Sequence, residues 1–379
     1  PEIHITIGGS VFTKLVDRLE NEGSHLFDFI DSFIVHEGET PLLRLVEHLR
    51  GDGDLSKVPN LIYKQDGKVK VNRPFAKEEL NALPTPDFDG LPLDLYLAPD
   101  RVLPVMGSRG CYWEKCAFCS IPFDHMEFHV RYAENVVNDF KVLQKKYNCN
   151  HFFFTDEALP INFLRTFAAK IIEEKIDVQW TGELKFEKSL LKDDRMDLLY
   201  KSGCRKLIFG LESYNQRVLD SMKKGVELSW VDETADRCIK LGIAMHFYLI
   251  CGFPTETREE VMDSINFILD NQRLLDSPGF SAILSQFDLE RGAPIEKNPA
   301  EWGIKNLYTP PEHDLSLGYS YETTIGMNSE EINELYQQLI EKLGREVMTF
   351  PHNYSLSDGL LYLAHHQHNS LTERLGALV

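Results

Sequence analysis

Ile3-His4-Ile5-Thr6-Ile7 alternates apolar and polar residues with the period of a strand and runs into Gly8-Gly9-Ser10, beyond which Val11, Leu15, Val16 and Leu19 recur at helical spacing. This predicts a strand, a glycine turn and a helix. The succession returns with Ser32-Phe33-Ile34-Val35 as strand, His36-Glu37-Gly38-Glu39 as turn, and Thr40 capping a helix through Leu49. Two βα units in a row predict a parallel, Rossmann-like sheet, although two strands alone do not make a stable one. Leu61 to Val71 predicts a hairpin turning at Asp66-Gly67. From Arg73 to Arg101 the chain is rich in Pro, Asp and Leu without a period, which predicts a linker.

A longer βα alternation follows. Leu103 to Met106 predicts a short strand, and Val136, Phe140, Leu143 and Tyr147 mark a helix. His151 to Thr155, with three consecutive Phe, predicts a strand buried on both faces. Strands are expected around Val178 to Gly182, Lys206 to Gly210, Ala244 to Cys251 and Phe280 to Leu289, alternating with helices. One of those helices opens on a capping box of Thr257 and Glu260. Six βα units predict a partial or complete parallel barrel. Beyond it, Asn328 and Glu331 cap a helix with the apolar stripe Ile332, Leu335, Tyr336, Leu339, Ile340 and Leu343. The expected class is therefore α/β: half a Rossmann-like domain over 1–72, a linker over 73–101, a partial (β/α)6 or TIM-like barrel over 102–290, and a mostly helical extension over 291–379. The chain opens in mid-fold without Met, so a truncated N-terminus is expected, and the last residues read as the cut end of a longer domain.

Composition narrows the class. With 43% hydrophobic and 26% charged residues the chain is globular, and a formal charge of -19 weighs against a long nucleic-acid footprint. No apolar run reaches the ~18 residues of a bilayer span, and no signal peptide is visible. A cytoplasmic location is expected. Of seven cysteines, Cys149, Cys204, Cys238 and Cys251 lie in apolar segments as small buried hydrophobes. The other three fall within Cys111-Tyr112-Trp113-Glu114-Lys115-Cys116-Ala117-Phe118-Cys119, just past a predicted strand. A closed zinc site needs four protein ligands, whereas three thiolates on a cubane leave one iron open.

A barrel presents its chemistry at the C-terminal ends of its strands. Those ends carry Thr155-Asp156-Glu157, Gly182-Glu183-Leu184-Lys185, Gly210-Leu211-Glu212-Ser213 and Cys251-Gly252-Phe253-Pro254. Carboxylates, a hydroxyl and bare backbone suit a ligand with a ribose, an ammonium and an adenine. His125 and His129, and the cluster His365, His366 and His368, read as exposed histidines rather than metal ligands.

With these motifs in this order, residues 100–290 resemble the radical S-adenosylmethionine (SAM) enzymes. The resemblance implies that Cys111, Cys116 and Cys119 hold a [4Fe-4S] cluster whose open iron is chelated by SAM, and that reduction yields a 5'-deoxyadenosyl radical. It places Phe118, Ile250 and Gly252 by the adenine, and Glu212 and Ser213 near the ribose and methionine ends. Asp156 and Glu183 are further SAM contacts, with solvated loop acids as the alternative. One departure is the interval Tyr112 to Lys115, four residues where the family usually has three. The N-terminal part resembles the second half of a cobalamin-binding domain, with Gly8, Gly9, Gly38 and Glu39 at the cofactor. The Asp-x-His-x-x-Gly segment that supplies a lower cobalt ligand in many relatives is absent from the sequence.

The implied activity is cobalamin-dependent methyl transfer to an unactivated carbon or phosphorus centre. The expected partners are a small-molecule or peptide substrate and a reductant such as flavodoxin or ferredoxin, without membrane or nucleic acid. The rival readings are a cobalamin-dependent rearrangement or cyclisation and, from another class, an iron-sulfur electron carrier or binding module.

Overall fold

The computed structural model describes residues 3–21, 23–96, 100–124, 126–309 and 315–347. Strands β1 (Thr6–Gly8) and β2 (Ser32–Ile34) pair in parallel, as the two βα units require. The predicted hairpin, β3 (Leu61–Gln65) and β4 (Lys68–Val71), continues this sheet in the antiparallel sense, with β3 beside β2. The sheet is thus mixed, and the hairpin gives the parallel pair the neighbours it needs. One expectation fails locally. The second helix starts at Glu39 with Gly38 at its cap, and the hydroxyl of Thr40 donates instead to Glu78 at 2.7 Å.

Residues 73–96 hold one short 3-10 turn, Leu93–Leu95, and no strand. The barrel begins at β5 (Val102–Val105). A short antiparallel ribbon, β6 (Ser108–Arg109) with β7 (His129–Val130), brackets the cysteine segment. Then come β8 (His151–Phe154), β9 (Gln179–Leu184), β10 (Cys204–Glu212), β11 (Ala244–Cys251) and β12 (Ser281–Gln286). With β5 these form one parallel six-stranded sheet in the order β12-β11-β10-β9-β8-β5. Each strand lies beside its predecessor, and β5 does not pair with β12, so the barrel is partial.

The outer face of the sheet packs on the helices. Phe152 and Phe154 are fully buried, Phe152 against Phe140 at a ring-centroid separation of 4.3 Å and Phe154 against Phe140, Phe167 and Trp180 at 5.3 to 5.7 Å, while Phe153 between them is half-buried. Alternation along β8 thus divides the Phe run between core and lumen. Past the barrel, the extension is less helical than expected. It contains a hairpin, β13 (Ile304–Tyr308) with β14 (Ser320–Thr323), before the capped helix Ser329–Glu346.

Candidate functional site

The cysteine loop leaves the barrel mouth pinned at its middle. Ala117 is fully buried, its N–H donating to the Met222 carbonyl at 2.8 Å and its own carbonyl accepting from Ile295 N–H at 2.9 Å. Trp113 donates Nε1–H to the Lys223 carbonyl at 2.9 Å, and its ring lies so close to Gly225 that a Cβ there would come within 2.2 Å. Tyr112 donates its hydroxyl to Glu187 at 3.0 Å. The four-residue interval is absorbed at Glu114, where φ is 52° and the carboxylate accepts from Phe128 N–H at 3.0 Å. The extra residue is thus taken up in a left-handed turn.

All three thiols are free and half-buried. Burial pushes Cys119 up to about 12 and Cys116 above the usual thiol range, although Ile121 N–H points at the Cys119 sulfur. Among the described residues no three His, Cys, Asp or Glu side chains gather as ligands of a single metal ion.

Two lysines face the thiols. Lys224 Nζ lies 2.7 Å from Glu212 Oε1, both side chains nearly buried, and 5.8 Å from the Phe118 ring. Burial opposes the Lys224 charge, but Glu212 and the Cys116 thiol outweigh it and raise its pKa. Lys185 donates to the Gly225 carbonyl at 2.6 Å, and burial together with the charge of Lys224 brings it down to about 8. Glu183, hydrogen-bonded to Tyr248, is pushed up to about 7 by burial and by its neighbours Glu157 and Glu212. Phe118 and Ile250 pack at the edge of the apolar cluster that holds Ala117 and Phe253. Phe118 and Ile250 thus share one apolar cluster, Glu212 lies near the Cys116 thiol, and Glu183 neighbours Glu212. Cations beside thiols fit an anionic cluster, and the carboxylates with the apolar wall fit a zwitterionic nucleoside.

Three other expected positions are hydrogen-bonded within the protein. Asp156 is 3% exposed, and both its oxygens are committed, Oδ2 to Gly107 N–H at 2.9 Å and Oδ1 to the Ser108 hydroxyl at 2.5 Å. It ties down Gly107 and Ser108 ahead of the cysteine loop. Ser213 is fully buried, its Oγ 3.2 Å from Ser264 Oγ and accepting from Asn215 N–H, so it seats the helix Arg258–Leu269. The N–H groups of Gly252 and Phe253 are taken by Glu256 Oε2 at 2.8 and 3.2 Å. Burial raises that carboxyl to about 8. Glu256, four residues past the glycine, was missed because nothing local marks it as the acceptor.

Asp156 yields a stability prediction. Burial raises its pKa to about 7 in the fold. The folded chain then holds a proton that the unfolded chain releases, so this contribution is full below the ordinary carboxyl value and is lost as pH rises to about 7. Asp156→Asn can still accept from Gly107 N–H, with Ser108 Oγ turning to accept from the new amide NH2, and should flatten the pH dependence between about pH 4 and about pH 7. Asp156→Ala strands Gly107 N–H and should cost about 1–3 kcal/mol. Urea unfolding of both variants across this range checks it.

The N-terminal sheet carries a second site. A cavity of about 560 Å³ at the C-terminal ends of β1 and β2 is lined by Gly8, Gly9, Gly38 and Glu39, together with His36 and Arg109. At Gly9, φ is 106° and nothing lies within 4 Å of where a Cβ would stand; a Cβ at Gly38 would meet only an Ile34 methyl at 3.6 Å. Bare backbone on an open cavity fits a nucleotide tail approaching closely. The Glu39 carboxylate is held by Arg109 through both Nη atoms. Arg109 also lies 3.4 Å from Glu37, which His129 Nε2 approaches at 3.1 Å. Lys14 bridges to the barrel segments at Glu290, 2.7 Å, and Asp124, 3.5 Å. Arg109, two residues before Cys111, thus forms one wall of the cavity. His125, His365, His366 and His368 lie outside the described residues.

Residues 105–268 match the model of the Radical SAM superfamily. Residues 105–268 are thus a radical SAM domain. Its family cofactors are a [4Fe-4S] cluster and SAM. Among curated relatives, the chain is 30% identical over 248 residues to an uncharacterized methyltransferase of Pyrococcus horikoshii, covering 63% of this chain and 52% of that protein. It is 26% identical over 189 residues to the bacteriochlorophyllide d C-12(1)-methyltransferase of Chlorobaculum tepidum, covering 48% and 40%. The chain spans about half the length of the curated relatives it matches. Among solved structures, the radical SAM methyltransferase TsrM of Kitasatospora setae, with tryptophan substrate and a SAM analog bound, superposes with a TM-score of 0.68 at 16% identity, covering 96% of this chain and 77% of that one. The cobalamin-dependent SAM radical enzyme OxsB, with aqua-cobalamin bound, gives 0.64 at 15%, covering 89% and 58%. At these identities the likeness shows a shared fold. No helix of the described residues is long and apolar enough to cross a membrane.

Proposed function

We propose that this chain is the core of a cobalamin-dependent radical SAM methyltransferase acting on an unactivated carbon or phosphorus centre of a small molecule or peptide. The observation that carries the reading is Arg109, which lines the glycine cavity and stands two residues before Cys111, joining the two cofactor places. The methyltransferase names of the relatives and the cobalamin enzymes of like fold support it.

When bound, cluster and SAM supply a 5'-deoxyadenosyl radical, and cobalamin supplies a methyl carrier. The protein supplies placement. Cys111, Cys116 and Cys119 would hold the cluster. Lys224 faces a carboxylate, Glu212 and Glu183 face an ammonium or ribose, and Phe118 with Ile250 make an apolar wall that excludes water from the radical's path. Gly8, Gly9 and Gly38 let the backbone meet the cobalamin tail, while Arg109 with Glu39 sets the distance to the barrel.

Anaerobic reconstitution tests this reading. It should give four irons per chain, a spectrum altered by SAM, retained cobalamin, and 5'-deoxyadenosine under reduction. A cluster that forms without any nucleoside product sinks the radical reading; nucleoside without cobalamin retention sinks the second cofactor only.

A further inference from the structure

The chain carries 40 Lys and Arg against 59 Asp and Glu, yet the outer rim of the cysteine loop presents lysines set on tryptophans. Lys115, next to Cys116, is exposed with Nζ 4.8 Å from the Trp113 ring centroid. The same ring is approached by Lys185 at 4.2 Å and is tied through Nε1 to the carbonyl of Lys223. Lys223 is exposed in turn, its Nζ 4.8 Å from the ring of Trp302. Trp302 is 5% exposed, donates Nε1–H to the Ser221 carbonyl at 3.2 Å and belongs to the apolar cluster that buries Ala117. Lys115 is thus held on a ring of the thiol loop itself, and Lys223 on a ring tied to the Ser221 carbonyl. Two acids on this rim are engaged locally: Glu114 accepts from Phe128 N–H, and Glu187 takes the hydroxyls of Tyr112 and Ser189.

We propose that this face, Lys115 and Lys223 on Trp113 and Trp302, docks an acidic one-electron carrier protein that reduces the cluster. The inference rests on the proposed cluster at Cys111, Cys116 and Cys119. An acidic partner is repelled by the chain's overall charge and attracted at this spot, which steers its approach and fixes its orientation. Holding each ammonium against a ring lowers the side-chain entropy lost on docking. The face is also close in sequence to the acceptor: Lys115 adjoins Cys116, and Lys223 adjoins Lys224, which feels the Cys116 and Cys119 thiols. One electron passes from the carrier to the cluster, so the carrier leaves oxidised by one electron.

The test uses the reconstituted chain with flavodoxin hydroquinone as protein donor and dithionite as small donor, after iron and sulfide are counted. In stopped-flow experiments at low salt, Lys115→Glu with Lys223→Glu should slow reduction by flavodoxin about 10-fold or more and abolish its salt dependence. Iron content and reduction by dithionite should match the wild type. The milder Lys115→Gln with Lys223→Gln should fall between, and it provides the test if charge reversal unfolds the loop. An unchanged flavodoxin rate overturns the proposal, and so does an equal slowing with dithionite, which would assign these lysines to holding the cluster. A wild-type chain that binds no iron fails the cluster reading instead, and is seen before any rate is measured.

Discussion

Cys119→Ala is expected to lose the iron-sulfur chromophore and 5'-deoxyadenosine formation together while the fold survives. Changes behind a metal ligand typically cost about 10–100-fold in affinity, and loss of the ligand itself should exceed that, so nucleoside formation should fall by at least ~100-fold. The loop does not depend on the sulfur for its shape. Ala117 is held by Met222 and Ile295, and Trp113 by Lys223 and Gly225, so unfolding free energy should shift by no more than about 1 kcal/mol. Cys204→Ala is the opposite case: its sulfur is fully buried in the barrel core, so the expected result is full iron and activity at a stability cost of roughly 1–2 kcal/mol. Iron and sulfide analysis, electron paramagnetic resonance and urea melts distinguish the two. Full iron and undiminished nucleoside in Cys119→Ala would remove this residue from the ligand set.

What could be read from the sequence was what short-range physics decides. The capping boxes at Thr257 with Glu260 and at Asn328 with Glu331 both form, because donor and acceptor lie three residues apart on one turn. The barrel strands were legible as apolar runs bounded by turns, and the cysteine spacing marked its loop. The direction of side chains at the strand ends was not legible. At Glu212 the register with β11 slips and φ becomes 64°, so Glu212 reaches Lys224 while Ser213 enters the packing of a helix. An alternating pattern cannot reveal such a slip. Lys223 and Lys224 are indistinguishable by neighbours in sequence, yet one lies exposed on Trp302 and the other is buried by the thiols. Arg109 and Glu39 are 70 residues apart, and only the docking of the two sheets makes them partners. The hairpin β13–β14 escaped notice because its strands are separated by a long segment with no two-residue turn signal.

Gly38→Phe is expected to abolish cobalamin retention while leaving cluster chemistry intact. Gly38 lines the 560 Å³ cavity, its φ of −113° is open to any residue, and only one methyl group lies near its missing Cβ. A benzyl group can therefore occupy the cavity without backbone strain. The direct cost to the fold is that of a poorer helix cap, about 1 kcal/mol. Gly38→Ser is the control, since serine is a favoured cap and too small to fill the space, and it should retain cobalamin. A loss of about 100-fold in affinity, equivalent to about 2.8 kcal/mol, is expected for the phenylalanine variant. Its 5'-deoxyadenosine yield should stay near wild type, because Gly38 makes no part of the thiol loop, so nucleoside formation would be separated from methyl transfer. Wild-type cobalamin affinity in Gly38→Phe would show that the cavity at β1 and β2 holds something else, and would leave the assignment of Cys111, Cys116 and Cys119 unaffected.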